Sequence, residues 1–123
     1  MSDRDRISRI RLEAHRLGRE REALERGMLR APRMLAASLI ERHLGTREKK
    51  RASPAYYLSW SQGGRTRLRH VPKRVLGRVR RVVEAWRDYR RAQRRWSEIS
   101  RRMERLWKEL TEAQARPPEE FPL

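Results

Sequence analysis

Arg65, Arg67 and Arg69 alternate along Arg65-Thr66-Arg67-Leu68-Arg69-His70-Val71, with no acid among them. In an extended strand, alternate side chains share a face, so the three guanidinium groups line one side and Thr66, Leu68 and His70 the other. Neighbouring arginines would stand roughly 6.6 Å apart at about 3.3 Å rise per residue. A planar fork of donors at that repeat suits phosphate oxygens and the O6/N7 edge of guanine in the DNA major groove. One cation would keep an exposed edge strand soluble, and three exceed that need.

A second group follows at once: Lys73, Arg74, Arg78, Arg80, Arg81, Arg87, Arg90, Arg91, Arg94 and Arg95, opposed only by Glu84 and Asp88. A solvated helix flank alternates signs to form ion pairs, whereas a one-sign row repels itself until anions arrive. Lys73, Arg74, Arg78 and Arg81 are the candidates here for phosphate contact, with counterion release and steep salt dependence expected. Lys49, Lys50 and Arg51 form a third basic cluster, in the polar stretch Gly45–Ser53. They suit either a phosphate grip or a mobile loop. Of the aromatic residues, Tyr57 lies on the strand face opposite Tyr56, Leu58 and Trp60, and is the candidate for base stacking. Trp86, Trp96 and Trp107 fall on helical seam positions, and Trp60 faces with Tyr56 and Leu58, so core packing is expected for all four tryptophans.

Other chemistries find little support. The chain has no Cys and three isolated His, so neither a disulfide nor a zinc site is expected. There is no P-loop or dinucleotide fingerprint, and no nucleophile with a partner base. The expectation is a non-catalytic protein without a cofactor.

The charge is concentrated. The 123 residues carry 33 Lys+Arg against 16 Asp+Glu, net +17, and 29 of the 33 are Arg. Residues 32–95 hold +15 of that total, with nearly balanced flanks. Such a field attracts polyanions and speeds encounter with them. DNA is the first expected partner and RNA the second, with an acidic protein as the rival from another class. Membrane partners are not expected, because no stretch is long and apolar enough to span a bilayer and the seams are heptad-spaced. The first residues, Met1-Ser2-Asp3-Arg4, lead into charged sequence rather than an apolar signal core, which suggests a cytoplasmic protein, nucleoid-associated if it binds DNA.

The elements that must position these groups follow from periodicity. Ile7, Ile10, Ala14, Leu17, Leu24 and Met28 step by three and four, giving a helix from about Asp3 to Leu29, capped by Ser2 or Asp3 and stopped before Pro32. Met34–Leu44 is ambiguous: Leu35, Leu39 and Ile40 suit a helix, and Ser38–His43 suits a short strand. Tyr56–Trp60 has strong β propensity, Ser61–Gly64 makes a hairpin loop, and Arg65–Val71 returns. After Pro72, the rows Val75/Val82/Tyr89/Trp96/Met103/Leu110 and Val79/Trp86/Gln93/Ser100/Trp107 form a seam over a helix from Lys73 to Ala113, with Ile99 and Leu106 widening it. The predicted organisation is an N-terminal helix (1–31), a basic β head (32–72), a long helix (73–113) and a disordered tail (114–123), in one domain. The fold class is α+β, with the helices paired as an antiparallel coiled-coil stalk around a three-stranded antiparallel head. Seam left over on the longer helix suggests a homodimer.

The stretch Ser53–Arg91 resembles an uncharacterised prokaryotic domain family often found in or beside mobile elements. The resemblance rests on Tyr56-Tyr57-Leu58-Ser59, on Gly63-Gly64-Arg65-Thr66, on His70-Val71-Pro72-Lys73 and on the helix that follows, and it covers about residues 35–95. Ala37–Arg42 looks like the family's preceding strand, which decides the ambiguous segment in favour of a strand. Family members usually carry a short Cys-rich motif between the first two strands. Arg42–Ser53 has no Cys, so any metal role of that motif does not carry over. The strand-strand-strand-helix order is also similar to the small β-sheet DNA readers at the N-termini of tyrosine recombinases. These resemblances imply topology more than mechanism, and together with the arginine groups they make a DNA-binding accessory protein of a mobile element the leading expectation.

Overall fold

A computed structural model of the chain describes residues 2–43 and 54–123. The fold is α+β: helix α1 (Asp3–Leu29), strands β1 (Ser38–Arg42), β2 (Ala55–Gln62) and β3 (Arg65–Val71), a 3₁₀ turn at Lys73–Val75, and helix α2 (Leu76–Gln114). Pro118–Glu120 add a 3₁₀ turn near the C-terminus. Among the described residues, no helix is long and apolar enough to cross a membrane. The basic segment Gly45–Ser53, with Lys49, Lys50 and Arg51, lies outside the described residues.

The chain gathers into two compact units, one of residues 1–30 with 92–123 and one of residues 31–91. In the first, the Ser2 hydroxyl accepts from the Asp5 backbone N–H and starts α1 as an N-cap. Ile10, Ala14 and Leu17 pack against Ile99, Met103 and Leu106, with Leu24 and Leu110 at the margin. Ion pairs join the two helices in opposite chain order, from Asp3 with Arg116 through Glu13 with Arg102 to Glu20 with Arg95.

The α2 seam here differs from the one expected. Ile99 and Leu106 are fully buried and Ala113 nearly so, while Trp107 is 52% exposed. The helix turns its 99/106/113 row inward because that row is apolar throughout. The 100/107 row would have brought the Ser100 hydroxyl into an apolar interface. Trp96 stays half-buried, its indole N–H donating to Glu25 Oε1 at 2.8 Å.

In the second unit, β1-β2-β3 form an antiparallel meander. The turn is tighter than the four residues expected. Ser61 pairs with Thr66 and Gln62 with Arg65, leaving only Gly63 and Gly64 as the loop. Both have positive φ, 59° and 76°, as a two-residue turn matched to strand twist requires. The Leu35 N–H donates to the Val82 carbonyl at 3.0 Å, tying the segment before β1 to α2. Val83, outside both expected rows, is the α2 side chain buried in this unit, at 5% exposure. Trp86 is half-buried and stacks on Tyr89, with ring centroids 6.4 Å apart. Trp60 is also half-buried rather than core.

Candidate nucleic-acid interface

Directly paired residues of an antiparallel ladder share a face. The register sets Arg65 across from Gln62, Arg67 across from Trp60 and Arg69 across from Leu58. The arginine row therefore lies on the face of Tyr56, Leu58 and Trp60. All three arginines are exposed. β1 reaches only as far as Ser38, paired with Ser59, so Trp60–Arg67 is a two-stranded ribbon whose residues from Ser61 onward are exposed. The Trp60 indole N–H donates to Gln62 Oε1 at 3.4 Å on this ribbon.

The same sheet face meets α2 at its other end. Arg80 lies over the Tyr56 ring, 5.6 Å from its centroid. A cavity of about 200 Å³ there is lined by Leu39, Glu41, Tyr56, Arg80, Val83, Glu84 and Arg87. Arg80 and Arg87 are thus the helix cations brought to the sheet; both belong to the basic group read from the sequence, but not to the four residues singled out from it for phosphate contact. Their seven-residue spacing around Val83 was the available signal, and it was masked because Val83 fell outside both assumed seam rows.

The other sequence-selected residues distribute unevenly. Lys73 and Arg74 are exposed in the 3₁₀ turn just after β3. Arg78 and Arg81 lie on the side of α2 away from Val83, at 3.6 residues per turn, and Arg74 precedes the helix. The fold therefore does not join them to the strand arginines in one row. Tyr57 lies on the opposite sheet face, half-buried, with His70 edge-on at 5.5 Å and the Arg42 guanidinium 5.6 Å from its ring centroid. One ligand surface does not hold both Tyr57 and the arginine row.

The two units treat their charges differently. Residues 31–91 carry 17 basic and 4 acidic side chains, and the remainder 16 and 12. In the helical unit most of the acids are engaged. Arg102 Nε and Nη2 donate to Glu13 at 2.8 and 3.0 Å, and Arg95 Nε and Nη2 to Glu20 at 2.7 and 3.0 Å. These hydrogen bonds hold the Glu13 and Glu20 carboxyls below the usual carboxylate value, against an opposing cost of desolvation and with help from the charge of the same arginines. In the basic unit Glu41 pairs with His43 at 3.5 Å, and among the described residues Arg65, Arg67, Arg69, Lys73, Arg74, Arg78 and Arg81 form no ion pair. Among the described residues, no group of three or more His, Cys, Asp or Glu could hold a metal ion.

A helix, a basic three-stranded antiparallel meander and a second helix define an α+β protein whose net charge lies mostly on the unit of residues 31–91. Residues 7–81 match the family described as a domain of unknown function (DUF6788), and the chain belongs to that family. The match runs from α1 through the sheet to Arg81 of α2. No curated protein sequence and no solved structure matches the chain.

Proposed function

We propose that this protein is a non-catalytic nucleic-acid-binding protein that grips duplex DNA, as an accessory factor of a mobile element in the cytoplasm or on the nucleoid. The observation that carries the reading is the two-stranded ribbon of β2 and β3, with Arg65, Arg67 and Arg69 exposed on one face and no acid paired to them among the described residues. A ribbon of two strands fits the major groove, where arginine forks reach guanine or the flanking phosphates. Arg80 and Arg87 extend the cationic surface where α2 meets the same sheet face. The mobile-element assignment rests on the motif resemblance around Tyr56–Lys73. We read the pairing of α1 with the second half of α2 as an antiparallel coiled coil that keeps its own charges neutralised.

Binding of labelled duplex DNA across salt concentration, with structured RNA as competitor, tests the assignment. Tight, steeply salt-dependent binding with duplex preferred is the expected result. Preference for RNA would move the function to ribonucleoprotein binding through 2′-OH and phosphate contacts.

A further inference from the structure

The helical unit holds a groove that the nucleic-acid reading does not use. It measures about 460 Å³ and is lined by Arg11, Ala14, His15, Gly18, Arg19, Glu22 and Trp107. The α1 residues follow one another along a single stripe of three turns, roughly 16 Å long at 1.5 Å per residue. Two features mark it out. Trp107 leaves an indole 52% exposed at the groove wall, on a helix that buries Leu106 completely. Gly18 sits in the middle of α1, where glycine costs about 0.5–1 kcal/mol relative to alanine. Its own fold does not require it. A Cβ there would touch only the Met103 Cε at 3.9 Å, an ordinary contact. The glycine therefore keeps the floor of the groove open at a cost in helix stability, as local rule-breaking at functional positions does.

We propose that this groove docks an acidic amphipathic helix of a protein partner, an apolar side chain resting over Ala14 and Gly18 against Trp107. The rim decides the charge of the occupant. Arg11 and Arg19 face no acid among the described residues, and Glu22 is already held by Arg26 at 3.7 Å. The other α1 glutamates, Glu13, Glu20 and Glu25, are bound to Arg102, Arg95 and Trp96. Carboxylates on the partner would meet Arg11 and Arg19. A second copy of the chain would bring its own Arg11 and Arg19 to this rim. Nucleic acid would leave the apolar floor unfilled.

The proposal is independent of the nucleic-acid assignment, because its residues belong to the other unit. The probe is a labelled synthetic helix of three to four turns with leucines along one face and glutamates on the flanks. A scrambled peptide of the same composition is the control, and binding is read by anisotropy. The amphipathic peptide is expected to bind at least about tenfold more tightly than the scrambled one. Trp107→Ala should weaken it by at least about tenfold, the usual loss when an aromatic anchor is truncated. Gly18→Leu should abolish binding by filling the floor, with thermal melting confirming that it folds; the exposed Trp107→Ala keeps the test valid if Gly18→Leu does not fold. DNA affinity should be unchanged in Trp107→Ala. Equal binding of the two peptides, or no effect of Trp107→Ala, would overturn the proposal. So would a parallel loss of DNA binding, which would make the groove a nucleic-acid surface.

Discussion

The double substitution Arg67→Ala/Arg69→Ala separates binding from folding. Both side chains are exposed on β3, and neither has an acidic partner among the described residues. Exposed positions of that kind usually change stability by less than about 0.5 kcal/mol, so the melting temperature should hold. The binding loss follows from counterion release. Each neutralised phosphate contributes about 0.9 to the slope of log K against log salt, so two lost contacts should lower the slope by about 1.8. Carried to about 0.1 M salt, that slope corresponds to a loss of roughly 60-fold in affinity. Anisotropy titrations of labelled duplex at four or more salt concentrations measure slope and affinity together. An unchanged slope with unchanged affinity would show that the ribbon is not the contact surface. A large drop in melting temperature would show that these arginines serve the fold.

Three further outcomes follow from the helical unit. Leu106→Ala should cost about 2–5 kcal/mol, as truncation in a packed core does, whereas Trp107→Ala next to it should cost about 1 kcal/mol or less, both read by denaturant unfolding. Gly18→Ala should raise stability by about 0.5–1 kcal/mol, or roughly 2–5 °C in melting temperature, since its Cβ meets only an ordinary contact. Glu13 and Glu20 have folded-state pKa values below the ordinary 4.5, so their stabilisation is present above that value and is lost as pH falls through the folded values. The gap in melting temperature between wild type and Glu13→Gln/Glu20→Gln should therefore narrow below pH 4.5. A gap constant with pH would mean that the arginine pairs are not its source.

Much of the fold was legible because its signals are local. The periodicity of Ile10, Ala14 and Leu17 and the capping Ser2 fix α1, and β propensity with Gly63-Gly64 fixes the hairpin. β1 needed more than local pattern, since Leu35–Ile40 also fits a helix, and the resemblance to a preceding strand supplied the choice. What escaped was the rotation of α2. Its sequence offers two apolar rows beside Met103, and only packing against α1 selects 99/106 over 100/107. That is why Trp107 was assigned to the core and is half-exposed. The candidate interface divided in the same way. Alternation placed the arginines of β3 on one face, but pairing register alone set them beside Trp60 and opposite Tyr57. Which helix cations reach the sheet depended on Val83, whose burial no single row predicted.

Wild-type binding to labelled duplex DNA across salt, with structured RNA and polyglutamate as competitors, tests the nucleic-acid assignment most directly. The account predicts affinity that survives near physiological salt, falls steeply as salt rises and resists polyglutamate at equal charge. Weak binding that any polyanion displaces equally would contradict it, and would assign the charge of residues 31–91 to a protein partner instead.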